Sequence, residues 1–205
     1  MNAPAGLTIE QVAAHPHFVR LQAIDGVAQD LRYAGRDNFA GRSLYGSHDC
    51  AFLRAEAAEG LMQAARWLAQ ARPGHRILVL DALRPHRVQQ SIWTDVVGTP
   101  MALYFADPAV GSIHSHGMAV DVTLLNSQGV EVDMGGAYDE MAPISHPALH
   151  DLHLASGALS PAQLAERRWL HEAMLQGGFS GIDTEWWHFD HGDRKRVREH
   201  MPRVD

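Results

Sequence analysis

Ser112-Ile113-His114-Ser115-His116-Gly117-Met118-Ala119-Val120-Asp121-Val122-Thr123-Leu124-Leu125 combines a strand with a candidate metal site. From Val120 onward the residues are β-branched and apolar, which predicts a buried strand. Alternation puts Val120, Val122 and Leu124 on one face and Asp121 and Thr123 on the other. A carboxylate in such a strand needs a partner, because burying an unpaired charge is costly; the competing reading is an exposed strand Asp. His114 lies seven residues upstream, across a turn expected at Gly117. His116 has the same strand parity as His114, so on the residues alone either imidazole could accompany Asp121.

The stretch Glu185-Trp186-Trp187-His188 supplies the missing pieces. Two imidazoles and a carboxylate suit a borderline-soft divalent ion, and three protein ligands leave the fourth tetrahedral position open for catalysis. Glu185, three residues before His188, can serve as a base beside a ligand. Residues 185 and 188 have opposite strand parity, so Glu185 is expected just before the strand or at a bulge, with His188 inside it. Taken alone, this stretch also reads as a core strand of aromatics with a surface Glu.

His-x-x-Gly-x-Ala-x-Asp followed by Glu-x-Trp-His resembles the zinc D-Ala-D-Ala dipeptidases, the group associated with vancomycin resistance. These belong to a wider fold family of DD-carboxypeptidases and hedgehog signalling domains. Three further blocks agree in order: Asp30-Leu31-Arg32-Tyr33-Ala34 with Asp37-Asn38-Phe39 and Gly41, then Asp81-Ala82-Leu83-Arg84-Pro85, then Asp133-Met134-Gly135 through Tyr138-Asp139. The resemblance implies one zinc ion per chain, held by His114 rather than His116 together with Asp121 and His188. It implies Glu185 as general base, Arg84 as oxyanion stabiliser, and Ser112, Asp139 and Tyr33 as substrate-binding residues, Asp139 at the dipeptide ammonium. The implied substrate is free D-Ala-D-Ala in a cell-wall (peptidoglycan) context. Two departures stand out: His116 beside the first ligand, and Gly35-Arg36 where a Thr usually follows Tyr-Ala.

A DD- or LD-carboxypeptidase acting on longer cell-wall peptides is the alternative within enzymes, and a non-catalytic zinc-bearing binding module the alternative outside them. Glu185 and Arg84 together speak against the module, which needs neither base nor oxyanion donor. A guanidinium after a buried strand is aimed into a cleft, and its fixed charge and donors suit a developing oxyanion; the plainer reading of Arg84 is a surface salt bridge.

The 205 residues suffice for one sizeable core, and a single domain over 1–205 is expected. A net charge of -7 argues against a nucleic-acid surface. The short basic run Arg194-Lys195-Arg196-Val197-Arg198 reads as a solvated face, and histidines outside the motif as scattered polar positions. One cysteine, Cys50, excludes an internal disulfide and reads as a small buried residue. With no signal-like start and no apolar run approaching eighteen residues, a cytoplasmic enzyme without membrane contact is expected. The oligomeric state is left open.

Residues 1–20, with Pro4, Gly6 and Pro16, read as an irregular lead-in containing a short helix over Thr8–Ala14. A strand is expected over Val27–Tyr33 and a turn-rich loop over Arg36–Gly46. Ala51–Ala71 is rich in helix formers with a stripe at Leu53, Ala57, Leu61, Ala64, Ala65 and Leu68, stopped by Pro73-Gly74. Arg76–Asp81 predicts a buried strand and His86–Val97 a helix burying Trp93. Asn126–Gly129 predicts a hairpin turn, with Val130–Met134 as the returning strand. Ser160-Pro161-Ala162-Gln163 predicts a capped helix to Gln176, burying Leu164, Trp169, Leu170, Ala173 and Met174 and stopping at Gly177-Gly178. A short polar tail follows the Glu185–His188 strand. The sum is an α+β domain with a mainly antiparallel central sheet and packed helices, like the hedgehog and DD-peptidase folds.

Overall fold

The strand containing Asp121 is β5 of the computed structural model, which describes residues 6–205; the first five residues of the expected lead-in lie outside the described residues. In chain order the strands are β1 (Phe18–Arg20), β2 (Val27–Gln29), β3 (Phe52–Arg54), β4 (Arg76–Asp81), β5 (Ala119–Leu125), β6 (Phe179–Gly181) and β7 (His188–His191). The α-helices are α1 (Ile9–Val12), α2 (Ala55–Ala71), α3 (His86–Val96), α4 (His150–Ser156), α5 (Pro161–Gln176) and α6 (Arg194–His200).

Five strands form the main sheet in the order β2-β4-β5-β7-β6. β2 and β4 run parallel and every other pairing is antiparallel, so the expected α+β sheet is present. All seven residues of β5 are buried. Val120, Val122 and Leu124 face a core shared with Leu61, Ala64 and Leu68 of α2 and Leu170, Ala173 and Met174 of α5. Asp121 and Thr123 are as buried as their neighbours, since Tyr138 and the long loops cover the opposite face. Asp121 is therefore not an exposed strand residue.

Register then builds the site. Asp121 is directly opposite His188 on β7, and Asp81 of β4 lies opposite Asp121 across an irregularity between Val79 and Asp81. Directly paired residues project on one face with Cβ atoms about 5 Å apart. Three neighbouring strands thus contribute one row of polar groups at one end of the sheet.

Several boundaries differ from the sequence expectation. The lead-in is structured: Leu7 bridges Val204, α1 is one turn rather than Thr8–Ala14, and β1 pairs with β3. Phe52–Arg54 is this β3, so α2 starts at Ala55 and not Ala51. Tertiary contacts override helix propensity there, with the Arg54 N–H donating to Gly117 O (2.9 Å) and its Nε to His116 O (3.0 Å). The strand from Val27 ends at Gln29 and Tyr33 sits in a 3₁₀ turn, Arg32–Ala34.

The turn after β5 forms, with the Asn126 N–H bonded to Val130 O (2.9 Å), but the return reaches only one bridge, Leu125 to Glu131. No Val130–Met134 strand follows, because β7 occupies the edge of β5 beside residues 119–121. α5 matches the expectation, including the Ser160–Gln163 capping box and its end at Gly177. Trp93 and Trp169 are only half-buried. The polar tail is in fact the end of β7 and then α6, capped by Asp193 and buried through Val197. Among the described residues no helix is long and apolar enough to cross a membrane.

Candidate active site

Ser112 begins a 3₁₀ turn, Ile113–His116, which ends at Gly117 in the left-handed region with φ +67°. A Cβ there would lie 2.9 Å from Phe18 and 3.1 Å from the Arg54 nitrogen, so conformation and space both require glycine. The turn separates the two histidines that strand parity had aligned. His114 points to the sheet end. His116 is buried elsewhere, its Nδ1 3.2 Å from Met201 O, and lines a different cavity with Gln90 and Arg203.

Three donor atoms converge: His114 Nε2 is 3.3 Å and His188 Nδ1 3.0 Å from Asp121 Oδ1, and the two nitrogens are 3.1 Å apart. Their other atoms are engaged in ways that free these for a cation. His114 Nδ1 donates to Ala82 O (2.7 Å) and His188 Nε2 faces Asp190 Oδ1 (3.0 Å), so that with a cation in place the lone pairs of His114 Nε2 and His188 Nδ1 would be directed at it. Asp121 Oδ2 accepts from the Tyr138 hydroxyl (3.1 Å). Two fixed imidazoles and a buried carboxylate fit a zinc-like ion. Burial works against the charge on Asp121, but His114 and then His188 outweigh it and hold the carboxyl far below its usual range.

Arg84 follows β4 and is buried, not at the surface. Its Nε and Nη2 donate to Asp81 Oδ2 (3.0 and 2.7 Å), its Nη1 donates to Gln89 Oε1 (3.1 Å), and its guanidinium stacks 4.8 Å from the Tyr33 ring centroid. Tyr45 and the Ala82 N–H complete the partners of Asp81. Nη2 lies 3.5 Å from Asp121 Oδ2, which places the charge beside the donor cluster.

Glu185 precedes β7, and its buried side chain reaches the same cavity. Burial pushes its carboxyl up to about 7; His188 and Arg84 pull down, and Asp121 adds to the rise. Tyr33 and Asp139 are also brought in, the Tyr33 hydroxyl donating to Asp139 Oδ1 (3.3 Å) and the Phe39 N–H to Oδ2 (3.2 Å). Burial, and next the charge of Asp121, push Asp139 well above the carboxylate range. Ser112 is buried at the cavity wall. The cavity holds about 200 Å³, below the ~300–1,000 Å³ typical of drug-sized ligands. Leu103, Phe105, Met141 and Ile182 supply its apolar lining.

A chain with this constellation can be compared with known proteins. The family profile described as D-ala-D-ala dipeptidase matches residues 13–204. The chain belongs to the D-Ala-D-Ala dipeptidase family. It is 37% identical over 161 residues to a D-alanyl-D-alanine dipeptidase of Escherichia coli (strain K12), covering 78% of this chain and 77% of that one. A D-alanyl-D-alanine dipeptidase of Enterococcus faecium is 30% identical over 186 residues, covering 82% and 87%. Among solved structures the LdcB LD-carboxypeptidase shares the fold, with a TM-score of 0.50 and 16% identity over 89% of this chain and 71% of that one. This chain is accordingly an enzyme of the dipeptidase family.

Several contacts of this candidate site escaped sequence reasoning. Asp81, Gln89, Tyr138 and Asp190 act through contacts that only the sheet register and loop packing create. Arg194 and Arg198, read as a solvated face, line the cavity. The one available signal was Asp193 as an N-cap, which starts a helix and places residues 194 and 198 on one side.

Proposed function

We propose that the chain hydrolyses free D-Ala-D-Ala to two D-alanines, using one zinc ion held by His114, Asp121 and His188. The observation that carries this reading is the convergence of those three donors beside a buried Glu and a buried Arg in a cavity of dipeptide scale. Zinc bound there supplies Lewis acidity, polarising the scissile carbonyl and acidifying water.

The protein's own groups do the rest. Glu185, with a carboxyl near neutrality, takes a proton from the attacking water and returns it to the leaving amine. Arg84, held rigid by Asp81 and Gln89, presents a fixed positive charge to the oxyanion as the carbonyl carbon becomes tetrahedral. Asp139 receives the substrate ammonium: its two oxygens are already oriented, and the incoming cation restores the charge that burial disfavours. Tyr33 orients Asp139 and packs on Arg84, while Ser112 donates to the substrate carboxylate. The apolar wall receives the alanine methyl groups and excludes water.

The test is alanine release from D-Ala-D-Ala, its N-acetylated form and L-Ala-L-Ala, with zinc and after chelation. Zinc-dependent release from the free D,D-dipeptide alone is expected. Preference for the acetylated compound would reassign the enzyme as a carboxypeptidase, and loss of nothing on chelation would remove the metal.

A further inference from the structure

Residues two apart on a strand share a face, so Asp190 follows His188 on the same side of β7. Its carboxylate is 2% exposed and has no part in the chemistry above. Oδ1 accepts from His188 Nε2 at 3.0 Å, and Oδ2 accepts from Arg194 Nε at 2.5 Å. The residue opposite it on β5 is Ala119, small enough to leave the pair room.

An imidazole ligates only through an unprotonated nitrogen, and His188 has two to choose from. The hydrogen bond at Nε2 decides between them. His114 faces the same choice, but its outer nitrogen meets a neutral carbonyl, that of Ala82, whereas His188 meets a full negative charge. Arg194 prevents that charge from standing alone in a buried setting, and its position four residues on, in the first turn of α6, makes the bond local.

We propose that Asp190 is the positioning residue of the metal centre, fixing His188 with its proton on Nε2 and its lone pair on Nδ1, and that Arg194 anchors Asp190. The inference rests on the metal site proposed above. A carboxylate behind a ligating histidine raises its basicity as well as orienting it, and removing such a partner typically weakens metal binding roughly 10- to 100-fold. Arg194, with half its side chain in water, should contribute less.

The experiment measures zinc dissociation constants by competition with a chromophoric chelator for the wild type, Asp190→Ala, Asp190→Asn and Arg194→Gln. Weakening is expected in the order Arg194→Gln, Asp190→Asn, Asp190→Ala, since Asn still accepts a hydrogen bond but carries no charge. Should Asp190→Ala not fold, Asp190→Asn and Arg194→Gln decide. A second readout is the long-range ¹H–¹⁵N spectrum of the zinc-loaded wild type, where His188 should show a protonated Nε2 and a ligated Nδ1. Affinities within twofold of wild type for both Asp190 variants, or ligation through Nε2, would overturn the inference while leaving the metal site intact. Failure of the wild type to bind one zinc would instead overturn the site itself.

Discussion

Glu185 and Arg84 are buried charges of opposite kind, and replacing them has different consequences. Glu185→Gln keeps the shape, so it should retain one metal equivalent while losing roughly 10²- to 10⁴-fold in kcat, checked by steady-state hydrolysis beside metal analysis. Arg84→Ala is a harsher change than a missing oxyanion donor, because it strands Asp81, which is fully buried. Breaking a buried pair in this way costs about 3–5 kcal/mol. Arg84→Lys is the better probe: it keeps the charge but not the fork, and should fold, hold metal and lose roughly 10²- to 10³-fold in turnover. Wild-type turnover in Arg84→Lys would remove Arg84 from the mechanism. At this scale residue type and spacing brought Asp121 and His188 into view but left His114 and His116 open, and the family resemblance pointed to His114; the 3₁₀ turn directs that one toward Asp121. The sequence assigned no partners to Asp81, although that residue stands in a block that carries the resemblance, nor to Gln89 and Asp190, which are ordinary polar residues until the fold gives them partners.

Elements pack through features that propensity does not encode. α2 passes the end of α5 so closely that a Cβ on Gly60 would lie 2.4 Å from Gly177 O. Gly60→Ala should therefore destabilise by about 1–3 kcal/mol, despite the better helix former, with kcat unchanged in the folded fraction; urea denaturation beside activity checks it. Arg72 and Glu166 clamp the same two helices, as do Trp67 and Trp169 at 6.0 Å between centroids. A second case is His150, opening α4 with Nε2 3.2 Å from Arg167 Nη1 of α5. Burial, then Arg167 and Arg168, lower it from 6.5 to about 4. Between those values the unfolded chain binds the extra proton, so folding stability falls as pH drops from 6.5 to 4. His150→Gln removes this contribution, and its melting temperature should decline less steeply than that of the wild type across that window. The long helices were legible because their apolar stripes and caps are local. The missed β3 and the unformed Val130–Met134 strand were not, since each outcome depends on which neighbour occupies a strand edge.

For the whole molecule, the metal proposed above would bridge β5, β7 and the turn before β5 and so would bind only the folded chain. Stability should then rise with free zinc as RT ln(1 + [zinc]/Kd), about 2.7 kcal/mol at a hundred times Kd. Chelation should lower the melting temperature, and calorimetry across a zinc series checks the slope; a zinc-independent melting temperature would contradict the site. The mainly antiparallel character of the sheet was legible in outline, while the parallel β2–β4 pair and the order β2-β4-β5-β7-β6 were not, because nothing local says which distant strand lies beside β5. That order also sets a timetable for biosynthesis. Asp121 and His188 are 67 residues apart, so a nascent chain carries two of the donors long before the third leaves the ribosome. A metal centre built from the three residues proposed above could therefore assemble only after His188 has emerged, so a nascent chain that holds just the first two lacks the full ligand set.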